Sequence, residues 1–138
     1  MIRIVLMTIP NAARVLLATC ALAGVFGVVP IVQRQITGAA ACPTLGPLPA
    51  CYLVLLGYGL IVVSVFLAAR YRITTFAAGW LPLVVLASAG SGLELLGQVA
   101  CPRSSTGIPT CFLSLGLLSL IVVFYVVEKR LAPGRESW

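Results

Sequence analysis

Apolar residues run through this chain in long, continuous blocks and do not alternate with polar ones. Four such blocks stand out. The first extends from about Ala12 to Ile36 and carries Pro30 and the polar group Gln33-Arg34-Gln35 near its end. The second is Cys51–Ala69, without a charge. The third runs from Ile73 to about Ala100 and contains a single charge, Glu94. The fourth, Cys111–Val127, is again uncharged. A half-buried strand would alternate every second residue, and these blocks do not. Lipid also requires each segment to satisfy its own backbone polar groups, and spanning it takes about 20 apolar residues per helix. The pattern predicts four transmembrane helices in one membrane domain over residues 1–138.

A second regularity divides the chain in two. Cys42-Pro43 opens a short polar loop that closes on Pro49-Ala50-Cys51-Tyr52-Leu53, and Cys101-Pro102 opens another that closes on Pro109-Thr110-Cys111-Phe112-Leu113. The match continues at an offset of 60, with Leu60-Ile61-Val62-Val63 against Leu120-Ile121-Val122-Val123. Upstream the offset is 59, so that Gly38 pairs with Gly97 and Gln35 with Glu94. Chance matches are common in apolar sequence, but a proline and cysteine frame on both sides of a loop is not. The expected fold is therefore all-α: a four-helix bundle of two tandem hairpins, one over about 12–70 and one over about 72–130. Gly38 and Gly97 should end the odd-numbered helices, since glycine readily takes the left-handed conformation there. Small residues such as Ala21, Gly24, Gly57, Ala87 and Gly116 would allow close helix contact.

Charge orients the bundle. Arg3, Arg14, Arg70, Arg72, Lys129, Arg130 and Arg135 fall on one side of it, and only Arg34 and Arg103 on the other. The positive-inside rule then places both termini in the cytoplasm and the cysteine loops outside, as in a bacterial plasma membrane with periplasmic or extracellular loops. Tyr71, Trp80 and Tyr125 would lie toward the inner interface, and Tyr52 and Phe112 toward the outer one. The net charge of +6 is spread over helix ends. That suits lipid headgroups, not nucleic acid. The small residues before Cys42 resemble a lipoprotein cleavage site, but Gln33-Arg34-Gln35 would intervene, so the first span is read as retained.

Composition narrows the chemistry. The chain is 61% hydrophobic and 9% charged, with no histidine and three acids, and its mean hydropathy is +1.14. A soluble domain carries about a quarter charged residues. Imidazole catalysis and histidine metal sites are excluded, and a carboxylate pair is disfavoured. Five cysteines are present. Cys20 lies inside the first span as a small apolar residue. Cys42, Cys51, Cys101 and Cys111 flank the outer loops, in a compartment that permits disulfides. Four cysteines allow three pairings. Within-loop bridges, Cys42–Cys51 and Cys101–Cys111, are favoured because each repeat then carries its own staple. Zinc would need closer cysteine spacing, and no metal site is expected. A redox role is the alternative to staples. Cys51 and Cys111 each follow a proline at a first helical turn, where the macrodipole favours a thiolate.

Glu94 is the one acid within a span, and such residues are functional or paired by default. Arg34, beside the repeat counterpart of Glu94, is the candidate partner.

Four spans, two cysteine-bearing outer loops and the stretch Leu93-Glu94-Leu95-Leu96-Gly97-Gln98-Val99-Ala100-Cys101-Pro102 resemble the membrane thiol–quinone oxidoreductases of the DsbB and vitamin K epoxide reductase types. Gly107-Ile108-Pro109 is similar to a start-of-helix tripeptide of the latter. The chain departs from that family in having no Cys-x-x-Cys. The resemblance implies a quinone cofactor and an exoplasmic thiol protein as partner. It implies Cys101 and Cys111 as the catalytic pair near the quinone, and Cys42 and Cys51 as the shuttle pair. Two other readings stay open. One is a non-catalytic tetraspan subunit of a larger membrane complex with purely structural disulfides. The other is a small transporter.

Overall fold

The computed structural model describes residues 2–38, 42, 44–45, 47–98 and 107–131. Cys101, Arg103 and Arg135, named above, lie outside them. Four helices dominate: α1 (Ile2–Ile36), α2 (Ala50–Phe66), α3 (Ala69–Leu95) and α4 (Thr110–Leu131). Three of them contain stretches long and apolar enough to cross a membrane, Asn11–Ile36, Ala69–Leu95 and Thr110–Leu131, whereas α2 is apolar but shorter. Many large apolar side chains face outward, Phe26, Phe66 and Val85 among them. Such a surface is consistent with lipid contact.

The helix boundaries refine the sequence reading. Helix α1 begins earlier than the first apolar block and runs through Pro30, and α3 runs through Pro82. Both prolines face outward. The α2–α3 turn is only Leu67 and Ala68, so Arg70 and Arg72 belong to the first turn of α3 and not to a loop. Helix α3 ends at Leu95 and α1 at Ile36, 59 residues apart, and α2 and α4 begin 60 residues apart. The caps match as well. Gly38 and Gly97 both take positive φ, 71° and 69°. Thr37 N–H donates to the Gln33 carbonyl and Leu96 N–H to that of Gly92, while Gly38 N–H donates to Gln35 and Gly97 N–H to Glu94. In the first loop, β1 (Thr44–Leu45) and β2 (Leu48–Pro49) form a minimal antiparallel pair that the sequence reading did not include.

Neighbouring helices run antiparallel. Helix α1 packs on α2 and α4, and α3 packs on the same two, so α1 and α3 lie diagonally across the bundle. Buried positions follow helical spacing: Ala13, Leu17, Ala21, Val28 and Val32 on α1, and Phe76, Gly79, Leu83, Ala87 and Ser91 on α3. The tightest backbone approach is between α2 and α3. A Cβ on Gly79 would sit 2.6 Å from the Gly57 carbonyl oxygen, and one on Gly57 would sit 2.6 Å from Leu83 Cγ. Gly24 on α1 makes room for the Tyr58 ring in the same way. By contrast, Gly27, Gly59 and Gly116 meet open space. Gly79 was absent from the small residues singled out in the sequence, although it makes the closest contact to a neighbouring backbone.

Helix α2 has no basic residue in its last turn. The Arg14 guanidinium of α1 supplies the cap from outside, donating to the Val65 carbonyl. A charged donor on an orphan helix carbonyl is worth about 1.5–3 kcal/mol. Arg14→Met should lower bundle stability by an amount near the bottom of that range, because the site is partly open. Denaturant titration in mixed micelles measures it, and an unchanged midpoint would show that the cap contributes nothing.

Candidate functional site

The chain places polar chemistry at two ends of an apolar bundle. At the end formed by the α2–α3 turn, Arg72 of α3 and Glu128 of α4 form a two-point ion pair, with Arg72 Nη1 donating to Glu128 Oε1 at 2.8 Å and Nη2 to Oε2. Glu128 is buried. The Phe76 and Tyr125 rings stack just inside, with centroids 4.0 Å apart and planes 9° from parallel. The Arg72 guanidinium stands 5.6 Å from the Tyr125 centroid. Tyr125 is thus part of the packing at this end of the bundle. Deeper along the same seam, the Trp80 indole donates to the Leu118 carbonyl at 3.1 Å.

The other end carries the cysteines. Cys42 and Cys51 are bonded to each other, with Cα atoms 6.3 Å apart. Cys51 is 5% exposed and Cys42 is half-buried. Cys111, at the start of α4, is also disulfide-bonded. Its sequence-favoured partner, Cys101, lies outside the described residues. Cys20 is free. Among the described residues, no group of three or more metal-ligating side chains is found.

The Arg34–Glu94 pair weighed from the sequence is not made. Arg34 is exposed, two residues beyond the buried Val32 and so on the opposite face of α1. The ion pair among the described residues is Arg72–Glu128. Glu94 is half-buried, and its Oε2 is enclosed without a hydrogen-bond partner. One turn earlier on α3, Ser91 Oγ is likewise enclosed and unpartnered, and the Tyr58 hydroxyl on α2 is enclosed beside Ser114 of α4. The α3–α4 register set by Arg72–Glu128 and Trp80–Leu118 continues upward. It brings the α4 start level with about Ser88–Gly90, so that Ser91 stands at that height and Glu94 about a turn beyond it. Among the described residues, Arg72 Nε is the enclosed, unpartnered atom at the opposite end. Tyr58 and Ser91 were not candidates from sequence. A tyrosine in an apolar run reads as core, and only its enclosed hydroxyl distinguishes it.

Compared with known proteins, the chain matches no family model, no curated sequence and no solved structure.

Proposed function

We propose that this chain is a four-span protein of a bacterial plasma membrane, built as a duplicated hairpin. Its outer loops carry out thiol–disulfide exchange linked to a membrane quinone. The matching helix ends and glycine caps support the duplication. At 17 residues, α2 is about 25 Å long, at the short end of what spans a bilayer core of about 30 Å. Its antiparallel packing between α1 and α3 supports counting it as a span. The charge asymmetry supports cytoplasmic termini and exoplasmic cysteines.

One observation carries the redox reading. The enclosed and unpartnered atoms of Ser91 and Glu94, and the enclosed Tyr58 hydroxyl beside Ser114, share the half of the bundle that holds the cysteines. Each such group costs about 1–3 kcal/mol if nothing meets it. A quinone presents two carbonyl acceptors to hydroxyl donors such as Tyr58 and Ser91, and it arrives from lipid. When bound, it supplies acceptance of two electrons and two protons. The chain's own part is disulfide exchange. A thiolate of an exoplasmic protein attacks the Cys42–Cys51 bridge, forms a mixed disulfide and is displaced by its own second thiol. The partner leaves oxidised and Cys42 and Cys51 leave as thiols. Those two thiols then reduce the second cysteine pair by the same steps.

A second reading keeps the disulfides as staples in a non-catalytic membrane subunit. The burial of Cys51 favours it, as do the open glycines on outward faces, which suit helix partners. One experiment separates the two. The protein is reduced mildly in lipid nanodiscs, given a short-chain quinone, and trapped with a maleimide tag. Quinone-dependent reoxidation is expected, with Glu94→Gln slowing it about tenfold at unchanged expression. Resistance to mild reduction, or reoxidation indifferent to quinone, would establish the staples.

A further inference from the structure

We infer that Gln35 is the positioning residue of the first cysteine loop, and that its side-chain oxygen governs how readily the Cys42–Cys51 bridge opens and recloses. Helix α1 stops at Ile36, and Gly38 turns the chain back with its positive φ. Cys42 stands outside the helix. The N–H of Cys42 has no helical acceptor there, and the half-buried Gln35 side chain supplies one: Oε1 accepts from Cys42 N–H at 2.6 Å. This bond closes a seven-residue span across the turn and fixes the backbone of one bridge partner. The other partner, Cys51, is held by the first turn of α2. Both sulfur-bearing residues are thereby set on rigid supports.

The consequence falls on the opened state. When the bridge is reduced, the clamp keeps Cys42 beside Cys51, and reclosure proceeds at a high effective concentration. A hydrogen bond of ordinary net strength changes such an equilibrium by about fivefold. The chain itself indicates which substitution should be tolerated. Glu94 stands at the end of α3 where Gln35 stands at the end of α1, with the same two cap bonds and the same glycine conformation beside it. Glutamate keeps the acceptor oxygen at the same reach. Leucine and methionine keep the bulk and lose the oxygen.

The test uses the full chain in nanodiscs, equilibrated with mixtures of reduced and oxidised dithiothreitol. The free thiols of Cys42 and Cys51 are alkylated and quantified by mass spectrometry. Gln35→Leu and Gln35→Met should each shift the equilibrium toward the dithiol by about fivefold. Gln35→Glu should stay within about twofold of the parent, with helix content unchanged in all three. An equilibrium in Gln35→Met equal to that of the parent overturns the inference. So does a shift in Gln35→Glu as large as in Gln35→Leu, which would make Gln35 merely a packing residue. No quinone enters this experiment, so its outcome is separate from that of the exchange reading.

Discussion

Gly79→Val is expected to separate α2 from α3 and to cost the bundle about 3 kcal/mol, the upper end of what overpacking costs in a close-packed interior. The reason is geometric. A Cβ on Gly79 would fall 2.6 Å from a backbone oxygen, that of Gly57, and 3.0 Å from Leu60 Cβ. Neither atom belongs to the far end of a flexible side chain, so relief requires moving a helix. Helix association in lipid gains nothing from apolar burial and rests on this close packing. The control is Gly59→Ala on the same helix pair, where the added methyl meets open space. It should change stability by less than about 0.5 kcal/mol. Unfolding in mixed micelles, followed by helix content and by reactivity of the free Cys20 thiol, measures both. Equal losses in the two variants would contradict the crossing described.

Arg72→Ala and Glu128→Ala should each cost about 3–5 kcal/mol, because either leaves a charge stranded in a largely enclosed place. The side chains are 19% and 8% exposed, so solvent screens the pair only weakly. The double replacement Arg72→Met with Glu128→Leu should recover most of that loss, since two matched apolar side chains carry no desolvation penalty. A double-mutant cycle on the same unfolding measurement gives the coupling directly. Additive losses would mean that the two side chains do not act as a pair. The Phe76–Tyr125 stack beside them should repack in the single variants, and near-ultraviolet dichroism would register it.

Much of the architecture was legible in the chain. Helix ends were marked by residues whose backbone demands are local. Gly38 and Gly97 end α1 and α3 because a left-handed residue is needed there. Pro49 and Pro109 stand immediately before the first residues of α2 and α4. Boundaries were less legible where charge was the guide. Arg70 and Arg72 read as a cytoplasmic loop, yet the two-residue turn draws them into α3. The first loop read as merely polar, although it holds a small β pair.

The candidate site was only half legible. Cysteines and a lone intramembrane acid announce themselves by type. The partner of that acid does not, since pairing depends on which way each helix is turned. Arg34 looked available to Glu94 from the repeat, but it faces away from the core while Glu94 follows the buried stripe of α3. Glu128 meets Arg72 because both stand at one end of an antiparallel hairpin. Tyr58 and Ser91 were not distinguished as site residues, since hydroxyl groups in apolar runs usually bond to a helix, their own or a neighbouring one. Ser64 does so here, donating to the Ile61 carbonyl at 2.6 Å.

The sequence by itself determined how many helices there are, roughly where each ends, and which end carries the cysteines. These follow from the length of apolar runs and from local backbone chemistry. Only the tertiary structure decided which face of each helix turns inward. A soluble helix declares its inner face by being apolar there and polar elsewhere. These helices are apolar all round, because lipid and protein interior ask for the same side chains. What separates the faces is shape: Gly79 against Gly57, Gly24 against Tyr58, and one ion pair that closes only when α3 and α4 are turned toward each other.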